Sequence, residues 1–271
     1  MTCSAPKRMD QSGLSRRLST TFARDQGKHQ NQPAENGRRC IAVDTVDIVD
    51  TVDRSSGALT RIRCRMVVAM STWFTSDLHF GHTNVIAYSS RPFADVDAMN
   101  EAIVTRWNER VSPTDTVWVL GDVALGRIAD TLPLVKLLNG TKVLVAGNHD
   151  RCWAGHGKGV TAWTQNYLDA GFAEIRQGTV QLTIANQRVL ACHFPYRGDS
   201  HDIDRYAEAR PVDRGSWLLH GHVHDRWRVR GRMINVGVDA WNHAPVSEAQ
   251  LATLIARGAT DVGAFDPLGQ A

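Results

Sequence analysis

From Met70 onward, apolar runs of four or five residues alternate with polar stretches, and ahead of Met70 no steady period exists. The runs Thr72–Thr75, Thr116–Leu120, Lys142–Ala146, Val180–Ile184, Val189–Cys192 and Trp217–His220 predict β-strands. Between the first two, Met99, Ile103 and Trp107 recur at i, i+4 and predict a helix with one buried face, opened by Asp97 as its N-cap. A second helix is expected over Leu132–Leu138, introduced by Thr131-Leu132-Pro133 and closed by Asn139-Gly140. A third covers Thr161–Asp169 and a last one Glu248–Ala256, ahead of a Gly-rich tail. The first half thus alternates strand and helix, and the second half is mostly strands. That order predicts an α/β (α+β) arrangement of two sheets packed face to face, with helices outside.

The stretch from Ser12 to Arg39 is polar and basic and predicts disorder. Val43 to Asp53 reads VDTVDIVDTVD, a near-repeat taken as simple sequence or a flexible tail rather than a strand. Residues 1–69 are therefore expected to be an N-terminal extension or a mis-called start, 70–250 the functional domain, and 251–271 a helix end and flexible tail. Charge follows the same division. Residues 1–69 hold 12 Lys/Arg against 7 Asp/Glu, whereas 70–271 hold 19 against 21. The basic balance belongs to the extension, so a surface for long nucleic acid on the main domain is not favoured. The five cysteines form no C-x-x-C pair, and their odd number points to free thiols in a reducing, cytoplasmic compartment. No apolar run approaches the ~18 residues of a membrane span, so no membrane partner is expected.

The chemistry sits directly after the strands. Asp77-Leu78-His79 follows the first, with Gly81 and His82 in the next turn. On a strand end, positions i and i+2 share a side, so Asp77 and His79 can reach one ion. Gly121-Asp122 closes the second strand; the glycine permits a sharp turn, and one carboxylate has oxygens for two cations. Gly147-Asn148-His149-Asp150 closes the third, offering a neutral amide oxygen from Asn148 and a His149 that points elsewhere, toward substrate. His193 follows Val189–Cys192, and His220-Gly221-His222-Val223-His224 follows Trp217–His220. His222 and His224 are read as nitrogen donors to neighbouring ions, and His220 as a structural or supporting residue. Singly, each piece has an ordinary alternative: a helix-capping Asp122, a Gly-Asn turn, a satisfied core His193. Together, so many buried ionisable groups require compensation, and a mixed N/O donor set suits Mn, Fe or Zn rather than Ca.

The order Asp-x-His, Gly-Asp, Gly-Asn-His-Asp, His, Gly-His-x-His resembles the calcineurin-like metallophosphoesterase superfamily over about Met70 to Glu248. The flanking Trp73–His82 and Asn235–Asn242 segments resemble a compact bacterial and phage branch of it. The resemblance implies a four-layer α/β/β/α sandwich of two mixed sheets with flanking helices. It implies two divalent or trivalent metal ions (Mn, Fe or Zn, with Mn expected to serve in vitro). Asp77, His79 and His224 would hold the first ion, Asn148, His193 and His222 the second, and Asp122 would bridge them. His149, near its ordinary pKa of ~6.5, would protonate the leaving oxygen while water activated by the cations attacks phosphorus in line. Asp150 is read as orienting a neighbouring imidazole through its second nitrogen.

The expected reaction is hydrolysis of a small phosphorylated substrate, a phosphodiester or nucleotide-like molecule being favoured. A phosphomonoesterase or protein phosphatase, and a metal-poor interaction scaffold, are the alternatives. Ser/Thr protein phosphatases of the superfamily carry Gly-Asp-x-Val-Asp-Arg-Gly; this chain has Gly121-Asp122-Val123-Ala124-Leu125-Gly126-Arg127, which lacks the second Asp and sets the Arg one place late. Arg91 and Arg197 are the candidate phosphate or substrate contacts.

Overall fold

A computed structural model describes residues 70–258 and 260–264. The readings of residues 1–69, the Val-Asp repeat included, and of the tail beyond 264 lie outside the described residues. The first half runs β1 (Thr72–Thr75), α1 (Thr83–Tyr88), α2 (Val96–Asn108), β2 (Thr116–Val119), α3 (Ile128–Thr131), β3 (Thr141–Val145), α4 (Val160–Asp169) and β4 (Phe172–Arg176). The second half runs β5 (Val180–Ile184), β6 (Gln187–Ala191), β7 (Trp217–His220), β8 (Val229–Gly231), β9 (Met233–Asn235), β10 (Val246–Ser247), α5 (Glu248–Arg257) and β11 (Thr260–Val262). One sheet has the order β10-β1-β2-β3-β4, the other β11-β8-β9-β7-β6-β5. β1 to β4 are mutually parallel, and β10 closes that sheet antiparallel to β1. In the second sheet β6, β7 and β9 are parallel, and the others pair antiparallel. Two mixed sheets with helices make the expected α/β sandwich.

Alternation along the strands assigns the faces. Val117, Val119, Leu144 and Ala146 point outward into a core with Met99, Ile103 and Trp107 of α2 and Tyr167 of α4. Phe74, Leu120 and Val145 point inward and meet Val189, Ala191, Leu219 and Ile234 of the second sheet, with Leu251, Leu254 and Ile255 of α5. The second sheet's outer face carries Cys192, Leu218 and Met233, and is covered mainly by aromatic residues of the 194–209 segment: Phe194, Tyr196 and Tyr206. Trp107, fully buried, is the largest single anchor of α2; truncating such a side chain to alanine costs about 3–5 kcal/mol.

Several local expectations need correction. The N-cap of α2 is Asp95, whose extended backbone lets its carboxylate accept the Ala98 N–H, while Asp97 sits within the first turn, where an acid suits the helix dipole. The second expected helix, Leu132–Leu138, is instead a 3₁₀ segment over Leu132–Leu137, and the short α3 precedes it; Pro133 has no N–H for the i→i−4 bond that would continue α3. Part of the expected flexible tail is ordered as β11, antiparallel to β8. No helix among the described residues is long and apolar enough to cross a membrane.

Asp115 locks the start of the first sheet. Its carboxylate accepts the Ser71 N–H (2.9 Å), the Ser112 N–H (2.8 Å) and the Trp73 indole N–H (3.0 Å). Burial pushes its pKa up, but these three donors outweigh it and hold the group below its ordinary 3.8. A depressed carboxyl stabilises fully above its unfolded value and loses that contribution as pH falls through the folded one. Asp115→Asn is therefore expected to cost about 1.5–3 kcal/mol in urea unfolding at pH 7. The gap between variant and wild type should narrow below about pH 4.

Candidate metal centre

Every chemical motif lies beyond the carboxyl end of a parallel strand: Asp77 and His79 after β1, Asp122 after β2, Asn148 and His149 after β3, His193 after β6, His222 and His224 after β7. Ligand sites in open α/β sheets favour that end. The segments after β1 and β2 stay paired past the strands, through Asp77 N–H to Gly121 O (3.0 Å) and His79 N–H to Asp122 O (3.0 Å). The strand pleat is not what aims the donors. Asp77, His79, Asp122, His222 and His224 all have positive φ, between 49° and 70°. Left-handed backbone is costly for such residues and clusters at functional sites, where surrounding structure enforces it. Gly121 (φ 89°) enforces part of it: a Cβ there would lie 2.6 Å from the Gly147 backbone and 2.7 Å from His193 Nδ1. At Gly221 an added Cβ would strike Ser76 Oγ and the Asp77 carboxylate, so the two sheets meet backbone to side chain at the site.

Two donor clusters result, Asp77–His79–His224 and Asp77–Asp122–His193, each with ligand atoms within 4.8 Å of one another. Asp122 Oδ2 lies 3.4 Å from His193 Nε2, 3.7 Å from His79 Nε2 and 4.0 Å from His149 Nε2. Asn148 Oδ1 is 3.0 Å from His193 Nε2. His222 stands outside both clusters but on the same cavity, and its backbone N–H donates to the Asp77 carboxylate (3.0 Å). Both ring nitrogens of His79 are buried without a hydrogen-bond partner. The distances of 3.7 and 3.9 Å from His79 Nε2 to Asp122 and Asp77 are those of two ligands on one ion, not of groups bonded to each other. The donors present therefore fit divalent ions.

The electrostatics agree with that fit. Burial raises Asp77, and raises Asp122 to about 7. Burial lowers His79, His193 and His222, which keeps their rings neutral. Metal binding requires deprotonated imidazoles, and uncompensated buried carboxylates are relieved by a cation. His224 is the exception: burial lowers it, but the Asp239 hydrogen bond and Asp77 raise it overall.

Above the clusters lies a cavity of about 790 Å³. His79, His82, Asp122, His149 and His224 line it, together with apolar Val85 and Leu125, the exposed Tyr88, and the cations Arg205 and Arg226. His149 is 42% exposed to it, and burial, above all, holds its pKa below the ordinary value rather than near 6.5.

Three sequence readings change here. Asp150 does not orient an imidazole. Its buried carboxylate accepts the backbone N–H groups of Asp122 (2.9 Å), Val123 (3.0 Å) and Gly147 (2.9 Å), tying the turns after β2 and β3 together. Arg91 does not face the cavity. It is buried beneath it, donating to the Asp77 and Leu78 carbonyls (2.7 and 3.0 Å) and to both Asp239 oxygens. Arg197 is exposed outside the cavity lining, which receives Arg205 and Arg226 instead. His220 is fully buried with Nδ1 on the Gly221 carbonyl (2.7 Å). His82 is part-exposed on the cavity, its ring 5.3 Å from that of His79.

Two carboxylates escaped the sequence reading. Asp239 Oδ2 holds His224 Nδ1 at 3.0 Å, and Asp199 Oδ2 holds His222 Nε2 at 2.8 Å. Burial alone would raise Asp199, but Arg205, His222 and nearby backbone N–H groups keep it far below the usual carboxylate range. Asp239 had a signal, lying within the flanking segment around Asn235–Asn242; Asp199, in an irregular loop, had none.

Residues 70–245 match the model of the calcineurin-like phosphoesterase superfamily domain. The Gene 66 protein of Mycobacterium phage L5 is 32% identical over 68% of this chain and 94% of its own length. Its counterpart in Mycobacterium phage D29 is 35% identical over 66% of this chain and 94% of its own. Among solved structures, a protein of unknown function from Aquifex aeolicus, AQ665, superposes with a TM-score of 0.53 at 26% identity, over 69% of this chain and 100% of that one. With the family model covering β1 to β9 and every clustered donor, the chain belongs to the calcineurin-like phosphoesterase superfamily.

Proposed function

We propose that this chain is a dinuclear metal-dependent phosphoesterase acting on a small phosphate ester, a phosphodiester or nucleotide-like molecule being favoured. The observation that carries the reading is the pair of donor clusters sharing Asp77, with Asp122 set between His79 and His193. Asp77, His79 and His224 would hold one ion, Asn148, His193 and His222 the other, and Asp122 both. When bound, two such ions would offset phosphoryl charge and would lower the pKa of water. The chain's own groups supply the rest. His149 lies on the cavity 4.0 Å from Asp122 and would give a proton to the leaving oxygen. An arriving phosphate favours its imidazolium, which opposes the effect of burial. Arg205 and Arg226 suit remaining anionic oxygens, and Tyr88, Val85 and Leu125 suit an apolar or planar substituent. Manganese is the ion we expect to serve in vitro, and the cytoplasm is the compartment that the odd number of cysteines suggests.

The test is turnover by the purified full-length chain on a panel of mono- and diesters, bis-p-nitrophenyl phosphate among them, with Mn, Fe or Zn supplied in turn. Hydrolysis that stops on chelation and returns with Mn is expected. Absence of turnover on every ester with every ion contradicts the proposal.

A further inference from the structure

We infer that Asp199 is the positioning residue of the second ion site: by accepting the Nε2 proton of His222 it fixes the tautomer that presents Nδ1 to the ion. The inference rests on the dinuclear reading above. A neutral imidazole carries one N–H, and the nitrogen that has it is set by what the other partner accepts. His222 Nε2 is 2.8 Å from Asp199 Oδ2, with the two side chains 3% and 0% exposed. A carboxylate accepts only, so the proton sits on Nε2 and the lone pair on Nδ1. Asp199 needs no imidazolium for charge balance. Arg205 Nε and Nη2 donate to its Oδ1 at 3.1 and 2.7 Å, Arg210 Nη2 lies 3.4 Å from Oδ2, and the His201 and Arg205 backbone N–H groups add 3.0 and 3.1 Å contacts. His222 therefore serves this carboxylate as a neutral donor.

His224 is held the opposite way round. Its Nδ1 is on Asp239 Oδ2 at 3.0 Å, and Asp239 is gripped by Arg91 through both oxygens. The two histidines of the Gly-His-x-His piece are thus fixed in opposite tautomers by carboxylates from separate segments, each with its own arginine. Tyr206, in left-handed backbone (φ 58°), adds a second grip on His222, its ring 5.6 Å from the imidazole and 5.2 Å from Phe194. The irregular 198–210 segment, one of whose arginines also lines the cavity, is the part of the chain that sets this ligand.

The first test reads the tautomers directly, in the metal-free full-length chain at alkaline pH where both rings are neutral, from ¹⁵N shifts and couplings of labelled histidines. His222 is expected as the Nε2–H form and His224 as the Nδ1–H form. An Nδ1–H form of His222 overturns the inference, with no variant required to fold. The second test titrates the metal-free chain with Mn(II), following free Mn(II) by electron paramagnetic resonance, with no substrate present. Wild type is expected to fill two sites. Asp199→Asn is expected to weaken one of them about 10–100-fold and leave the other unchanged. Placed on His222→Ala, the same change should have no further effect. Two unaltered sites in Asp199→Asn, or an equal further loss without His222, overturn the inference alone. A wild type that takes up no Mn(II) overturns the dinuclear reading and the ligand role with it, whatever the tautomers.

Discussion

Asp122→Asn is expected to lower Mn-supported kcat/KM on bis-p-nitrophenyl phosphate by roughly 10³-fold or more, equivalent to about 4 kcal/mol in the barrier. The carboxylate lies within 4.0 Å of three site imidazoles, those of His79, His149 and His193. Asparagine keeps its shape and keeps an acceptor for the His149 backbone N–H, which now donates to Asp122 Oδ1 at 2.8 Å. What it removes is a negative charge of the second donor cluster that also lies 3.7 Å from His79 of the first. The variant should therefore fold as wild type by circular dichroism while losing turnover and retaining fewer ions. Near-wild-type kcat/KM would remove Asp122 from its proposed position between the ions.

His149→Ala is expected to act on a different quantity. General acid catalysis contributes about 10²–10⁴-fold, and chiefly where the leaving oxygen is basic. The variant should lose about that factor in kcat on an alkyl phosphodiester and clearly less on p-nitrophenyl esters, whose leaving group departs without a proton. Its metal content should not change, because the ring is 42% exposed and lies outside the proposed ligand set. Equal losses on both esters would indicate that His149 binds substrate rather than donating a proton.

Where the candidate donors stand could be read from the chain because each piece follows its strand within a few residues: the strand end fixes where Asp77, Asp122, Asn148, His193 and His222 must emerge. How they emerge could not be read. The i, i+2 argument for Asp77 and His79 presumes a pleat, whereas both occupy left-handed backbone stabilised by partners in the neighbouring turns. Asp199 acts on a ring nitrogen from an irregular loop and Asp239 from the short 3₁₀ turn Val238–Ala240, and no period marks a carboxylate that meets an imidazole 15 or 23 residues away. The arginines were misplaced for a similar reason. Whether Arg91 faces a cavity or lies beneath it depends on Asp239, 148 residues distant. Of the fold, the six predicted apolar runs all became strands; β4 was missed although it has five residues, because Phe-Ala-Glu-Ile-Arg carries charge at two of them, and β8, β9, β10 and β11 have only two or three residues each, too few for alternation to show.

The most direct measurement of the central claim is anomalous diffraction from crystals of the full-length chain grown with manganese, collected on either side of the Mn absorption edge. Two anomalous peaks are expected, one on each side of the Asp122 carboxylate: one against Asp77, His79 and His224, the other against Asn148, His193 and His222. A single peak remote from Asp122, or none at full manganese saturation, would contradict the account.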